Sequence, residues 1–269
     1  MSEKRRFVIP AIIGLGLLTA LPVLIALQGQ TTPEKSKSLH QRFQQPDMGE
    51  VKSTFPRVSY TFEEISEPFR KAKSQKYGRV RTIDPNISEN AQEMITADWE
   101  VGVDAVPVAK SVVIVLGIVV DAAAYLSDNK QGVYSEFKIE IEKVFKNDTD
   151  QELKKGDYLF AERDGGVVIF PTGFEKWVYI RSQRMPTKGR RYLFFLNRDF
   201  PLTGKQISDL NLLTAYEFKG ELVTPLDFPG GETSPFLTFK GRKPEELIKT
   251  LKEGLKDSSC QPSDDGGGL

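Results

Sequence analysis

The chain has 269 residues, with 37 lysines and arginines against 37 aspartates and glutamates, one cysteine and one histidine. Zero net charge lacks the basic excess of a duplex nucleic-acid binder. With Cys260 alone there is no intramolecular disulfide and no cysteine-rich metal site, and with His40 alone neither a histidine metal cluster nor a serine–histidine triad forms within one chain.

Lys4, Arg5 and Arg6 precede residues 7–27, a run of 21 residues without a charge. A membrane-spanning helix needs about 20 such residues, and a basic flank keeps its own side in the cytoplasm. The expectation is a single-pass anchor at 7–27 with residues 1–6 cytoplasmic. The alternative is a cleaved signal peptide, but its apolar core is shorter and it needs a small-x-small exit that residues 25–30 do not offer. Both readings place the rest of the chain outside the cytoplasm, either attached to the cytoplasmic membrane or secreted.

Residues 28–57, rich in Gln, Lys, Ser, Thr and Pro, read as a flexible linker. Residues 58–105 read as a short helical lead-in. Thr61 and Glu64 have capping-box spacing and predict a short helix toward Phe69, limited by Pro68. Ile87, Ala91, Met94 and Ile95 predict a second helix, packed against the β-domain.

The β-domain is expected over 106–228. Residues 112–125 form a long strand whose run 112–120 is β-branched and apolar on both faces, with Gly117 marking a bulge or bend. A polar turn at 127–132 leads to a second strand. There Phe137, Ile139 and Ile141 alternate with Glu136, Lys138, Glu140 and Glu142, so one face is buried and one wet. Residues 156–163 read as a third strand. Asp164-Gly165-Gly166 reads as a hairpin turn and 167–170 as the returning strand, with 175–181 as its continuation beyond Pro171. Strands at 190–197, 212–218 and 222–226 come next, the last two joined across Gly220. About seven or eight short strands without long intervening helices argue for an all-β core, a small Greek-key β-barrel or sandwich. Residues 243–257 form an amphipathic helix with Leu247, Ile248, Leu251 and Leu255 on one stripe, and 258–269 a polar disordered tail.

Three groups of residues are candidates for function. Arg181, Arg184, Lys188, Arg190 and Arg191 cluster between two strands and form an anion-binding candidate; a solvated charged face is the alternative. Leu247, Leu251 and Leu255 dock either a partner or their own domain. Glu162, Asp164 and Asp199 sit at strand ends, where paired carboxylates do acid–base work on glycosides, although Asp164 is also explained by its turn. Ser135, Ser182 and Ser208 have no histidine partner in the folded part. No catalytic, cofactor-binding or metal-ligating residue is assigned.

The segments VPVAKSVVIVLGIVVDAAAYLSDNKQGVYSEFKIEIEKVFKND, GDYLFAERDGGVVIFPTG, RYLFFLNRD and LLTAYEF together resemble a group of bacterial exported or membrane-anchored proteins. The resemblance covers residues 106–226. It implies a small Greek-key β-barrel similar to oligomer-binding or netrin-like folds, and it implies no activity and no site residue. The cysteines of netrin-like inhibitors are missing here. The expectation for function is a non-catalytic binding or scaffolding module of the bacterial envelope, with an envelope protein or polymer as partner and no nucleic acid. An envelope hydrolase using the strand-end carboxylates, or an accessory subunit of a membrane complex, is the alternative.

Overall fold

The computed structural model describes residues 54–79, 103–180, 182–198, 210–228 and 233–259. Its core is β-sheet. In chain order the elements are β1 (Arg57–Ser59), α1 (Pro68–Gln75), β2 (Val113–Leu126), β3 (Val133–Asn147), β4 (Tyr158–Asp164), β5 (Gly166–Ile169), β6 (Glu175–Val178), β7 (Arg191–Arg198), β8 (Leu210–Lys219), β9 (Leu222–Pro225) and α2 (Pro244–Ser259). Short 3₁₀ turns follow α1 at Lys76–Arg79 and precede α2 at Pro235–Phe239. Among the described residues no helix is long and apolar enough to cross a membrane; residues 7–27 lie outside them.

The larger sheet has the order β4-β3-β2-β7-β8-β9, and the smaller one β1-β5-β6. Neighbours in the larger sheet are antiparallel. β4 also runs parallel to β8 at Ala161/Leu210 and Glu162/Asn211, so the pairings lead from β4 through β3, β2, β7 and β8 back to β4. Val113, Val115 and Val119 of β2 point to one side, packing with Phe137, Ile139, Leu159, Phe194 and Leu212. Ile114 and Leu116 point to the other, where they meet Phe195, Tyr216, Phe236, Leu247 and Leu251. The run of β-branched residues at 112–120 is thus apolar on both faces because both faces are covered, the second by α2 and the 3₁₀ turn before it. Leu247 and Leu251 are fully buried there, with Leu255 and Ile248 partly so. The stripe of α2 packs on its own domain.

Gly117 does what a glycine in a strand is expected to do. The β2–β3 register shifts at Leu116/Gly117, and a Cβ on Gly117 would stand 2.6 Å from the Glu140 carbonyl oxygen. Removing the side chain is what lets β3 approach.

Several expectations are corrected. The helix near Phe69 starts at Pro68, not at Thr61. Glu67 caps it by accepting from the Phe69 and Arg70 amides, whereas Thr61 accepts only from the Glu63 amide in a local turn. Pro68 therefore opens the helix, where its missing N–H is harmless, instead of limiting it. Asp164-Gly165-Gly166 is not a hairpin turn. β4 pairs with β3 and β8, and β5 with β1 and β6, so this turn carries the chain from one sheet to the other. A Cβ on Gly165, at φ +106°, would stand 2.7 Å from the Val178 carbonyl oxygen, which explains glycine there without a hairpin. Residues 175–178 do not continue β5 but return antiparallel to it, around a turn in which the Gly173 amide donates to the Phe170 carbonyl. β1, which straddles the end of the expected linker and the start of the expected helical lead-in, adds to β5 in parallel. The helix expected at 86–95 lies outside the described residues, as do Asp199, Arg181, Ser208, His40 and Cys260.

Candidate functional site

A connected cluster of ion pairs lies on the outward face of β3 and β4, under residues 67–79. Phe137 and Ile139 point into the core, so Glu136 points out; Leu159 and Ala161 point in, so Glu162 points out. The two glutamates are direct cross-strand partners, and Asn211 of β8 is the partner of Glu162 on its other side. All three are buried. Buried carboxylates need cations and hydrogen bonds. These come from Arg70, Lys73 and Lys76, spaced three apart so that α1 and its continuation present them on one face. Arg70 Nη1 donates to Glu136 Oε2 at 2.8 Å and to the Tyr134 hydroxyl at 3.2 Å. Lys73 bridges the two glutamates, pairing with Glu136 and lying 3.2 Å from Glu162 Oε2. Lys76 Nζ donates to Glu162 Oε1 at 2.9 Å and also to Asn211 Oδ1.

Aromatic contacts close the cluster. Tyr77 stacks on Tyr134 with centroids 4.2 Å apart and planes 9° apart, and the Arg70 guanidinium lies 3.8 Å from the Tyr125 ring centroid. The 127–132 turn holds the same segment from its far end. Asn129 Nδ2 donates to the Gly78 carbonyl at 2.6 Å, and Gly132 has no Cβ because one would stand 2.2 Å from the Tyr77 carbonyl oxygen. Burial pushes the Tyr77 phenol well above the ordinary tyrosine value, with the charges of Glu162 and Asp164 adding to the effect. Burial likewise raises Tyr134, against the opposing pull of Arg70. Burial disfavours the charged Arg70 guanidinium, but hydrogen bonds from it to Tyr134 and Glu136 more than compensate and hold it above the ordinary arginine value.

A second buried pair lies on the inward face of β4. Arg163 Nη1 and Nη2 donate to the two carboxylate oxygens of Asp227 at 2.7 and 2.8 Å, and further to the carbonyls of Arg184, Leu212 and Leu213. The Arg184 amide donates to Asp227 Oδ1 at 3.0 Å. This is a structural clasp between β4, the 182–190 loop and the end of β9.

The four described cations of the anion-binding candidate have four different partners. The Arg184 guanidinium lies 4.6 Å from the Phe228 ring centroid. Lys188 donates to Asp121 of β2 at 3.1 Å, and that hydrogen bond keeps the Asp121 carboxyl below the usual carboxylate range. Arg190 donates to both carboxylate oxygens of Glu217 on β8 at 3.1 Å, and Arg191 donates to Glu142 on β3. Of the strand-end carboxylates, Glu162 meets Glu136 and the lysines, while Asp164 remains two residues along β4. Among the described residues no group of His, Cys, Asp and Glu is arranged to hold a metal ion.

Below the covered part, the same outward face continues in the open. Lys138 is the cross-strand partner of Phe160, and Glu140 that of Tyr158. Phe160 is 41% and Tyr158 50% exposed, and the Lys138 ammonium lies 4.3 Å from the Tyr158 ring centroid. Comparison of the chain with family models, with curated proteins and with solved structures gave no match. The chemistry of the chain therefore rests on its own residues. Sequence reasoning missed Glu136, which its alternation assigns to the wet face. The available signal was the three-residue spacing of Arg70, Lys73 and Lys76, a cationic stripe with nothing acidic on its own helix to pair with.

Proposed function

We propose that the protein is a membrane-anchored, extracytoplasmic binding or scaffolding module of the bacterial envelope, non-catalytic, held by residues 7–27 and recognising an envelope polymer. We read its β-domain as a small Greek-key barrel of the oligomer-binding type. In support, five strands return to their starting strand through one parallel pairing, β4 with β8, among antiparallel ones. That architecture commonly binds chain-like ligands on the face of its second and third strands, which correspond here to β3 and β4.

The observation that carries the reading is how β3 and β4 divide their outward face. The carboxylates that an acid–base catalyst would use, Glu136 and Glu162, are enclosed and paired with cations. The part left open carries two aromatic rings two residues apart on one strand, Tyr158 and Phe160, beside the Lys138 cation. Flat apolar faces with an adjacent cation suit a polymer of ring-shaped units bearing acidic groups. The test is co-sedimentation of the purified protein with insoluble cell-wall polymer. Tyr158→Ala together with Phe160→Ala is expected to abolish retention without lowering thermal stability; unchanged retention refutes the reading. Reporter fusions after Arg57 test the placement, and cytoplasmic reporter activity there refutes it.

A further inference from the structure

Lys76 differs from the other cations on the covered face. It is the one that reaches both a carboxylate and a carboxamide, Glu162 Oε1 at 2.9 Å and Asn211 Oδ1. Asn211 in turn is polarised at one end only. Its Oδ1 also faces the Tyr77 hydroxyl at 3.5 Å, while its buried Nδ2 makes no hydrogen bond among the described residues. A buried primary amide normally finds partners at both ends, because N–H groups left without partners are costly. Glu162 is 2% exposed and Asn211 is buried, so the carboxylate and the amide lie away from bulk water, and the Lys76 amine reaches in to both.

We propose that Lys76 and Asn211 become joined by an intramolecular isopeptide bond, with Glu162 as the proton carrier. The Lys76 ammonium gives a proton to Glu162 Oε1. The neutral Nζ then attacks Asn211 Cγ, and the tetrahedral oxyanion forms within reach of the Tyr77 hydroxyl, which serves as its donor. One further Nζ proton passes to Nδ2, the Cγ–Nδ2 bond breaks, and Glu162 returns its proton to the departing nitrogen. The products are a secondary amide between Nζ and Cγ, and ammonium; nothing is oxidised or reduced. Exclusion of water favours the amine over hydrolysis.

Charge supports the same outcome. The ion-paired cluster sets three cations, Arg70, Lys73 and Lys76, against two carboxylates, Glu136 and Glu162. Conversion of Lys76 to an amide removes the excess cation, and the remaining pairs balance. Lys76 is 25% exposed, which leaves ammonium a way out. The bond ties the segment that precedes the β-domain to β8, the strand that returns the pairings to β4.

The experiment is mass spectrometry of the full-length protein. The expected intact mass is lower than that of the processed sequence by one ammonia. The decisive readout is the tryptic map, because it does not depend on whether residues 7–27 are removed. Trypsin is expected not to cut after Lys76, and the peptide containing it is expected to be branched to the one containing Asn211. Lys76→Arg and Asn211→Ala are each expected to restore the full mass and separate peptides. Glu162→Gln, which retains both reacting groups, is expected to leave them unjoined, with folding checked by circular dichroism. A folded wild-type protein with separate peptides and cleavage after Lys76 overturns the proposal whatever the variants do. Bond formation in Glu162→Gln at the wild-type extent overturns the role of Glu162.

Discussion

The Arg163–Asp227 clasp offers a sharp test of how the covered interior is held. Asp227 is fully buried and accepts three hydrogen bonds, two from the Arg163 guanidinium at 2.7 and 2.8 Å and one from the Arg184 amide at 3.0 Å. Asp227→Asn keeps the shape and removes the charge. It leaves the guanidinium buried without a counter-ion and turns an amide N–H₂ toward donors. Breaking a buried pair on one side costs about 3–5 kcal/mol. That is a large share of the roughly 5–15 kcal/mol by which a domain is stable. The assay is urea unfolding followed by circular dichroism, with the midpoint falling and the slope unchanged. Arg163→Met combined with Asp227→Leu removes both charges and is expected to recover part of the loss. Recovery is incomplete because Arg163 also serves the carbonyls of Arg184, Leu212 and Leu213, and a buried carbonyl left without a donor costs about 1–3 kcal/mol. A cost below about 1 kcal/mol for Asp227→Asn refutes the reasoning, since it is what a solvent-screened surface pair gives.

Three further outcomes are expected. Gly132→Ala places a Cβ 2.2 Å from the Tyr77 carbonyl oxygen, so the 76–79 turn must shift; the expected loss is about 1–3 kcal/mol, with a weakened near-ultraviolet tyrosine signal from the Tyr77–Tyr134 stack, and an unchanged signal contradicts it. Leu251→Ala in the covered stripe of α2 is expected to cost about 2–5 kcal/mol and Leu255→Ala, only partly buried, clearly less; equal costs mean that α2 does not rest on the sheet. Burial raises the phenols of Tyr77, Tyr134, Tyr192 and Tyr216, so above about pH 10 the unfolded chain loses protons that the folded one keeps. The phenols therefore add no pH dependence below that pH and lower stability above it, and urea midpoints that stay constant from about pH 10 to about pH 11 contradict the burial of these rings.

The long strands were legible because their residues speak locally. Val112 to Val120 is apolar on both faces, Phe137, Ile139 and Ile141 alternate with charges, and Gly117 interrupts the first run; β2 spans Val113–Leu126 where 112–125 was expected, and β3 starts at Val133, directly after the expected 127–132 turn. The amphipathic helix was legible from its leucine stripe. What failed depends on partners far along the chain. Asp164-Gly165-Gly166 has the composition of a hairpin turn, and nothing local tells that β4 and β5 belong to different sheets. Glu136 and Glu162 look solvated because alternation assigns a face, not its cover; the cover comes from residues 67–79, more than fifty positions upstream of Glu136. The charges of the 184–191 loop were visible as a cluster, but their partners Asp121, Glu142 and Glu217 stand on three other strands.

The central place of β2 has a consequence for how the chain must fold. Its partner on one side, β3, comes after a six-residue turn, so that pairing is local and fast. Its partner on the other side is β7, where Val113 meets Leu196 and Ile118 meets Arg191. During synthesis the β2–β3 hairpin is complete while β7 has yet to emerge. For that interval the apolar run at 113–120 has one bare edge, with open amides and carbonyls beside residues that favour cross-strand stacking. Late closure of this kind makes folding slow and exposes the young chain to sticking to its own copies. The order in which the strands leave the ribosome, more than any single contact, thus sets when the protein is most vulnerable.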